Sequence, residues 1–146
     1  MHWLSISWFV LTLVTAAGHI VRLTGLIEAG DAGAAAGMAI SFVPQLLGMV
    51  AIALTYAVLT KIIRDVVVVI LGSIHLAFAA IGTVALLVAL SQQSLLFQGG
   101  DLADTTLMTQ AFGVSGFAGV LGSLFFIAAL IVGFTMSRAP TAEDTF

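Results

Sequence analysis

Four long apolar stretches run through the chain, separated by short polar breaks. They cover approximately residues 3–25, 37–60, 66–91 and 109–137. A helix of about 20 predominantly apolar residues is long enough to cross the hydrocarbon core of a bilayer. The pattern therefore predicts an all-α integral membrane protein, with four transmembrane helices in an up-down bundle. We expect residues 1–146 to form this single domain, with residues 138–146 as a short cytoplasmic tail.

Polar and amphipathic residues recur within the first apolar stretch at intervals that alternate between three and four. They are Ser5, Trp8, Thr12, Thr15, His19 and Arg22. This spacing places them on one face of a helix. Because polar groups are costly in lipid, the face is predicted to point at other helices. Trp3 and Trp8 are also predicted to anchor the helix at the membrane interface, where tryptophan is enriched.

Each of the other three predicted helices carries its own face of small or polar residues. These faces are Ser41, Gln45, Gly48 and Thr55 in the second helix, Gly72, His75, Ala79 and Gly82 in the third, and Ser115, Gly119 and Ser123 in the fourth. Small residues allow helix backbones to approach closely in a membrane. Helix packing is therefore predicted for five glycines, namely Gly48, Gly113, Gly116, Gly119 and Gly122.

The composition supports lipid as the solvent and excludes several classes of function. Of the 146 residues, 61% are hydrophobic and only 8% are charged, against roughly a quarter charged in soluble domains. The chain has no cysteine, which excludes disulfides, thiolate metal sites and a cysteine nucleophile. A net charge of -3 without a basic tract argues against nucleic acid as a partner. No nucleophile–base pair, carboxylate pair or metal-ligand spacing occurs within a span, so we predict no catalytic residues, no metal site and no enzyme activity.

The few charged residues predict an orientation. The cations Lys61, Arg64 and Arg138 fall on one side of the predicted membrane, and the acids Glu28, Asp31, Asp101 and Asp104 fall in the two opposite loops. The positive-inside bias assigns the cationic side to the cytoplasm. Both termini are then inside, in what we expect to be a bacterial inner membrane. Arg22 is the exception, and we expect it to pair at the outer rim with Glu28 or Asp31.

Two histidines lie within the predicted spans, where ionisable groups usually face a bundle interior or a water-filled cavity. His19 and His75 each have two open interpretations, either a buried hydrogen-bonded side chain or a ligand or proton relay. Haem b ligation by both would require similar depths, and we estimate a mismatch of about 7 Å from the helical rise. A quinone is the other cofactor considered, with Arg22 and Gln45 as further contacts.

Both predicted hairpins resemble the core hairpin of the MotA/TolQ/ExbB proton-channel family. In the first hairpin the similar segments are "RLTGLIEAG" (22–30) and "GMAISFVPQLLGMVAIAL" (37–54). In the second hairpin they are "AIGTVALLVAL" (80–90) and "AFGVSGFAGVLGSLFFIAAL" (111–130). The resemblance implies that the hairpin is duplicated and that Thr83, in the Gly-Thr-Val element, lines a pore. Gln45 stands where the family has a threonine in the returning helix.

These observations lead to two hypotheses for function. The first is a non-enzymatic membrane subunit that lines or borders a proton or ion path in an oligomer, through a polar seam of His19, Arg22, Gln45, His75 and Thr83. The alternative is a structural, haem-binding or quinone-binding anchor subunit of a larger respiratory or photosynthetic membrane complex. The expected partners are the lipid bilayer and either other membrane subunits or further copies of this chain.

Overall fold

The computed structural model describes residues 3–62, 66–97 and 103–136. These residues form four α-helices, α1 (Trp3–Glu28), α2 (Ala32–Ile62), α3 (Val66–Phe97) and α4 (Thr105–Met136). Each helix is long and apolar enough to cross a membrane. The predicted all-helical integral membrane fold is therefore confirmed at the level of helix number, length and composition. The predictions for Arg64, Asp101, Arg138 and the tail 138–146 lie outside the described residues.

A tight turn joins α1 to α2. The backbone N–H groups of Gly30 and Asp31 donate to the carbonyls of Ile27 and Leu26, each at 3.0 Å, which closes the end of α1 as a Schellman motif. Gly30 has φ of 76°, a left-handed conformation that costs glycine least. Asp31 Oδ1 then accepts the N–H of Ala34 at 2.9 Å. This N-cap starts α2 five residues before its predicted apolar stretch.

The start of α4 is capped in the same way. Asp104 Oδ1 accepts the backbone N–H of Leu107 at 2.9 Å, and the Asp104 N–H donates to Gln92 Oε1 of α3 at 3.0 Å. The helix therefore begins at Thr105 rather than at the apolar stretch from residue 109. Asp31 and Asp104 thus have identifiable local roles as helix caps.

The helices alternate in direction, so the bundle is up-down as predicted. Ser5 near the start of α1 donates to the Ala53 carbonyl late in α2 at 3.0 Å, which makes α1 and α2 antiparallel. Arg22 late in α1 bonds Gln93 late in α3, which makes these two helices parallel. The hairpins α1–α2 and α3–α4 meet mainly through α1 and α3. We call the end with the two hairpin connections the hairpin end, and the end where α1 begins the terminal end.

The predicted polar face of α1 is buried. Its members Ser5, Trp8, Thr12, Thr15 and His19 are all inside the bundle, and Arg22 is half-buried. One expectation for this helix is wrong. Trp8 is not exposed as an interfacial anchor would be, because only 2% of its surface is accessible, whereas Trp3 is 49% exposed. The three and four spacing that places Trp8 on the buried face outweighs the tendency of tryptophan to sit at the membrane surface.

The faces predicted for α2 and α4 are not the faces that pack. In α2 the buried residues are Ala35, Met38, Met49, Ala53, Tyr56 and Leu59, while Ser41, Gln45 and Gly48 are exposed. In α4 the buried residues are Ala111, Ala118, Gly122, Ala129 and Gly133. Both helices are small or apolar on several faces, so the sequence period does not single out one of them. The predicted face of α3 does face the bundle, because Gly72, His75 and Gly82 are buried and Ala79 is partly buried against the core.

Glycine packing within the chain is confirmed only for Gly122. A Cβ atom there would lie 3.2 Å from His75 Cδ2 and 3.4 Å from Phe78 Cβ. The remaining glycines of the prediction, Gly48, Gly113, Gly116 and Gly119, have no atom of the described residues within 4 Å of such a Cβ. Packing of these four glycines against other described residues is therefore not found.

Candidate functional site

The buried face of α1 forms a polar column through the bundle, which we call the α1 seam (Ser5, Trp8, Thr12, Thr15, His19 and Arg22). The hydroxyls of Thr12 and Thr15 donate to the carbonyls of Trp8 and Leu11, one turn earlier, each at 2.8 Å. A hydroxyl that donates one hydrogen bond keeps two lone pairs as acceptors. The seam therefore presents acceptor oxygens between its two ends.

An aromatic cluster surrounds the terminal-end half of the seam. This terminal cluster consists of Trp8, Tyr56, His75 and Phe126, one residue from each helix. The centre of the His75 imidazole lies 4.6 Å from the ring centre of Trp8 and 5.1 Å from the ring centre of Phe126. Tyr56 packs edge-on to Phe126 at 5.7 Å. The rings fill the centre of the bundle, because aromatic pairs at these separations are in contact.

A hydrogen bond at 3.0 Å joins the Tyr56 hydroxyl to His75 Nδ1 at the centre of the terminal cluster. Tyr56 is fully buried and His75 is 5% exposed. Gly72 and Gly122 make room for the pair, since a Cβ at Gly72 would lie 2.8 Å from Tyr56 Cε1. A buried hydroxyl and imidazole that satisfy each other avoid the cost of an unpaired polar group in an apolar interior.

Sequence reasoning missed Tyr56 as a member of the site. It is the only tyrosine in the chain, and it lies within an apolar span, where its hydroxyl requires a partner. It also follows Met49 and Ala53 at intervals of four and three, the spacing of one helix face. The combination of a lone tyrosine and a lone histidine in neighbouring spans was the available signal.

A second polar cluster lies toward the hairpin end. This hairpin cluster consists of His19 and Arg22 of α1, Phe42 and Gln45 of α2, and Gln93 of α3. The His19 ring stacks on Phe42, with ring centres 5.0 Å apart. Arg22 Nη2 donates to Gln93 Oε1 at 2.6 Å. The cluster thus brings together three of the predicted polar-seam residues, His19, Arg22 and Gln45, with an amide, that of Gln93, which the sequence did not identify.

The hairpin cluster leaves several buried polar atoms without a hydrogen bond. Both ring nitrogens of His19 and Nε of Arg22 have none, although the Gln45 side chain lies close enough to interact with the imidazole. His19 is only 5% exposed. Burial of an unpaired polar group costs about 1–3 kcal/mol. In the terminal cluster the corresponding atom is the indole Nε1 of Trp8, which also has no hydrogen-bond partner.

The ion pair predicted for Arg22 is not found. Within residues 3–62, 66–97 and 103–136, Arg22 has its hydrogen bond to the neutral Gln93 and no bond to a carboxylate. Asp31 is engaged in capping α2. Glu28 is exposed at the end of α1, and its separation of six residues from Arg22 turns it away from the seam. The guanidinium therefore faces the bundle without a counter-charge from this part of the chain.

The two histidines are too far apart to share one cofactor. His75 lies beside Trp8, and Trp8 precedes His19 by eleven residues, which is about 16 Å along a helix. One haem iron cannot bind both imidazoles of a single chain across that distance. In the described part of the chain, no group of three His, Cys, Asp or Glu residues is placed to hold a metal ion.

The other predicted seam residues have different surroundings. Thr83 is 7% exposed and belongs to the bundle interior, whereas Gln45 is exposed at the edge of the hairpin cluster. An open groove of about 560 Å³ lies between α3 and α4. Its lining is apolar apart from one amide, and consists of Phe78, Ile81, Gln110, Gly113, Val114, Phe117 and Ala118.

No protein-family model, curated protein or solved structure matches this chain. The likeness to the MotA/TolQ/ExbB proton-channel family therefore stays a prediction from short sequence segments. Any assignment of function has to rest on the α1 seam and its two clusters.

Proposed function

We propose that this chain is a non-enzymatic integral membrane protein that forms or borders a proton path along the α1 seam. The observation that carries the proposal is the burial of the seam as one continuous column with an intramembrane histidine near each end. Ionisable residues within membrane spans commonly mark proton or substrate pathways. The resemblance of the hairpins to the proton-channel family points in the same direction.

Between the histidines, the seam offers oxygen atoms at regular intervals. Thr15 and Thr12 lie four and seven residues before His19, about 6 and 10 Å along the helix. Their hydroxyls already donate to backbone carbonyls, so their remaining lone pairs can accept hydrogen bonds from water. Thr15 is fully buried and Thr12 is 7% exposed, so the packed seam has to open for water to enter. Water molecules held there by the two hydroxyls would connect the hairpin cluster with the terminal cluster.

The terminal cluster favours protons over hydrated ions. The contacting rings of Trp8, His75 and Phe126 leave little space for an ion with its water shell. A proton needs no such space, because imidazole can accept it on one nitrogen and release another proton from the second. The hydrogen bond between His75 and Tyr56 extends this relay into α2.

The setting proposed for this path is an oligomer in a bacterial inner membrane, with both termini in the cytoplasm. Lys61 at the terminal end is consistent with that orientation. Two features of the lipid-facing surface support contacts with further helices. The Gln45 side chain is exposed on α2 beside His19, and lipid offers its remaining polar groups no partner. The α4 glycines Gly113 and Gly116 leave open space.

Proton flux into liposomes tests the proposal directly. The purified chain would be reconstituted in vesicles containing a pH-sensitive dye, and a potassium diffusion potential would drive the protons. We expect flux well above that of protein-free vesicles, and a large reduction in His19→Leu and in the double variant Thr12→Val, Thr15→Val. These substitutions remove relay groups, whereas Ser123→Ala on the exposed face of α4 is the matched control and should retain the flux of the wild type.

Two results would contradict the proposal. Flux of the wild type equal to the protein-free leak would show that this chain alone does not conduct protons. An undiminished flux in both seam variants would show that the seam is not the path. Size-exclusion chromatography and circular dichroism of each variant establish that the helices and the oligomer are intact before flux is compared.

A quinone-binding anchor subunit is the second candidate. The unpaired N–H groups of His19 and Arg22 favour it, because quinone carbonyls accept such hydrogen bonds. Solvent extraction of the gently solubilised protein, followed by chromatography, would detect a stoichiometric quinone. The absorption spectrum of the same sample tests for haem bound by one histidine, through the presence or absence of a Soret band.

A further inference from the structure

Arg22 is a cation near the hairpin end whose charge is not compensated by the described residues around it. Its hydrogen-bond partner, Gln93, is neutral, and Nε has no partner. Glu28 and Asp31, the acids nearest in sequence, are exposed at the helix end or engaged in a cap. An unbalanced charge in a half-buried position is unfavourable unless an anion lies beside it.

His19 supplies a second and independent observation at the same place. It lies one turn before Arg22 on the same helix face and is 5% exposed, with neither ring nitrogen hydrogen-bonded. A neutral imidazole carries one N–H donor and one acceptor. Together with Nε of Arg22, the cluster therefore offers more unpaired donors than acceptors, which suits a ligand rich in acceptor oxygens.

The separation of Trp3 and Arg22 along α1 matches the thickness of the hydrocarbon core of a bilayer. Trp3 is half-exposed at the opposite end of α1, and Arg22 follows it by nineteen residues, or about 29 Å of helix. The hydrocarbon core of a bilayer is about 30 Å thick. If Trp3 marks one boundary of the core, Arg22 lies at the other, where phosphate groups begin.

We propose that the hairpin cluster binds a phosphate group, with Arg22 as the charged ligand and His19 as a hydrogen-bond donor. Guanidinium and phosphate match in charge and in the geometry of paired N–H···O bonds. The amide N–H groups of Gln93 add neutral donors next to Arg22. A neutral carbonyl ligand could accept the same hydrogen bonds but would leave the charge of Arg22 uncompensated. This site does not depend on proton transfer along the seam.

Two sources of phosphate are distinguished by experiment. The full-length protein would be reconstituted in phosphatidylcholine nanodiscs and titrated with inorganic phosphate in one series. In the other, the detergent-solubilised protein would be titrated with phosphatidylglycerol or phosphatidylcholine and analysed by native mass spectrometry. We expect phosphatidylglycerol to bind more tightly than phosphatidylcholine. Arg22-dependent binding of inorganic phosphate would also support the site, and would assign it to a soluble phosphate compound.

Variants identify the residues that carry the binding. Arg22→Gln should weaken it about tenfold or more, as expected for loss of a charge-assisted hydrogen bond. Arg22→Lys should retain part of the preference for the anionic ligand. His19→Phe keeps an aromatic ring against Phe42, removes the N–H donor and should weaken binding several-fold. Lys61→Gln removes the same charge at the terminal end and is the matched control, with no expected loss.

The proposal is overturned if the wild type does not bind inorganic phosphate and does not prefer phosphatidylglycerol to phosphatidylcholine. It is also overturned if Arg22→Gln binds these ligands as tightly as the wild type does. Folding of each variant is checked by circular dichroism and elution volume. If Arg22→Gln does not fold, Gln93→Leu provides the decisive measurement, because it keeps the charge of Arg22 and removes only its neutral partner. Retained binding in Gln93→Leu supports a site centred on Arg22, and complete loss contradicts it.

Discussion

The two histidines of this bundle have the same side chain, similar burial and very different surroundings. His75 lies in the terminal cluster, where it bonds the Tyr56 hydroxyl and contacts the rings of Trp8 and Phe126. His19 stacks on Phe42 in the hairpin cluster, but neither of its nitrogens is hydrogen-bonded. The degree of burial therefore does not distinguish a histidine that is hydrogen-bonded within the chain from one that is not.

The difference between the clusters separates a contribution to stability from a capacity to bind a ligand. A satisfied polar pair within contacting rings holds four helices together, because each ring is supplied by a different helix. In the hairpin cluster, an imidazole without a hydrogen bond lies beside a guanidinium whose charge no described residue compensates. This arrangement contributes little to stability and favours binding of a ligand. Substitutions in the terminal cluster should therefore have the larger effect on stability, whereas substitutions in the hairpin cluster should have the larger effect on ligand binding.

The largest effect is expected at Trp8. Trp8→Ala removes a fully buried ring from the centre of the terminal cluster and should lower the free energy of unfolding by about 3–5 kcal/mol. Trp3→Ala, at the half-exposed tryptophan, should cost less than about 1 kcal/mol. Unfolding by sodium dodecyl sulfate in mixed micelles, followed by circular dichroism, measures both. Equal losses would place Trp8 at the surface, contrary to the structure.

Leucine substitutions compare the two histidines directly. His75→Leu leaves the Tyr56 hydroxyl unpaired and should cost about 1–3 kcal/mol, whereas His19→Leu in neutral detergent should change stability by less than about 0.5 kcal/mol or raise it. The same unfolding assay applies. Combining His75→Leu with Tyr56→Phe should cost less than the sum of the two single variants, because both remove the same hydrogen bond. Additive losses would argue against the pair.

Glycine substitutions test which face of α4 packs in the chain. Gly122→Val places new atoms against His75 and should cost about 1–3 kcal/mol, as overpacking usually does. Gly116→Val points into open space and should cost less than about 0.5 kcal/mol in the isolated chain. If Gly116→Val instead changes the oligomeric state seen by size-exclusion chromatography, this face contacts another copy.

Among the substitutions expected to destabilise the chain, the smallest loss is expected at Asp31. Asp31→Ala removes the cap of α2 and should cost about 1 kcal/mol, while Asp31→Asn should cost little because its carbonyl oxygen can cap equally well. Thermal unfolding of the three proteins compares them. A loss in Asp31→Asn as large as that in Asp31→Ala would show that the negative charge matters, and would restore Asp31 as a counter-ion for Arg22.

The sequence predicted the buried face of α1 more accurately than those of α2 and α4, because polar and apolar residues are more clearly separated in α1. In α1 the six seam residues differ clearly from the surrounding leucine, valine and isoleucine, so their spacing identifies the buried face. In α4 almost every residue is apolar or small, and the glycines that stood out most, such as Gly113 and Gly116, face away from the bundle. Packing in that helix is instead made by Ala111, Ala118 and Gly122, whose interval of seven and four was less conspicuous.

The sequence by itself determined that four apolar helices form and which residues of α1 face inward, because lipid penalises exposed polar groups wherever they lie along a chain. Only the tertiary structure decided which polar groups meet. Among the described residues, it paired His75 with Tyr56, placed the amide of Gln93 rather than an acid beside Arg22, and left both ring nitrogens of His19 without a hydrogen bond. Such pairings depend on the rotation and depth of each helix against its neighbours, which are set by side-chain packing between segments that can lie as many as 71 residues apart.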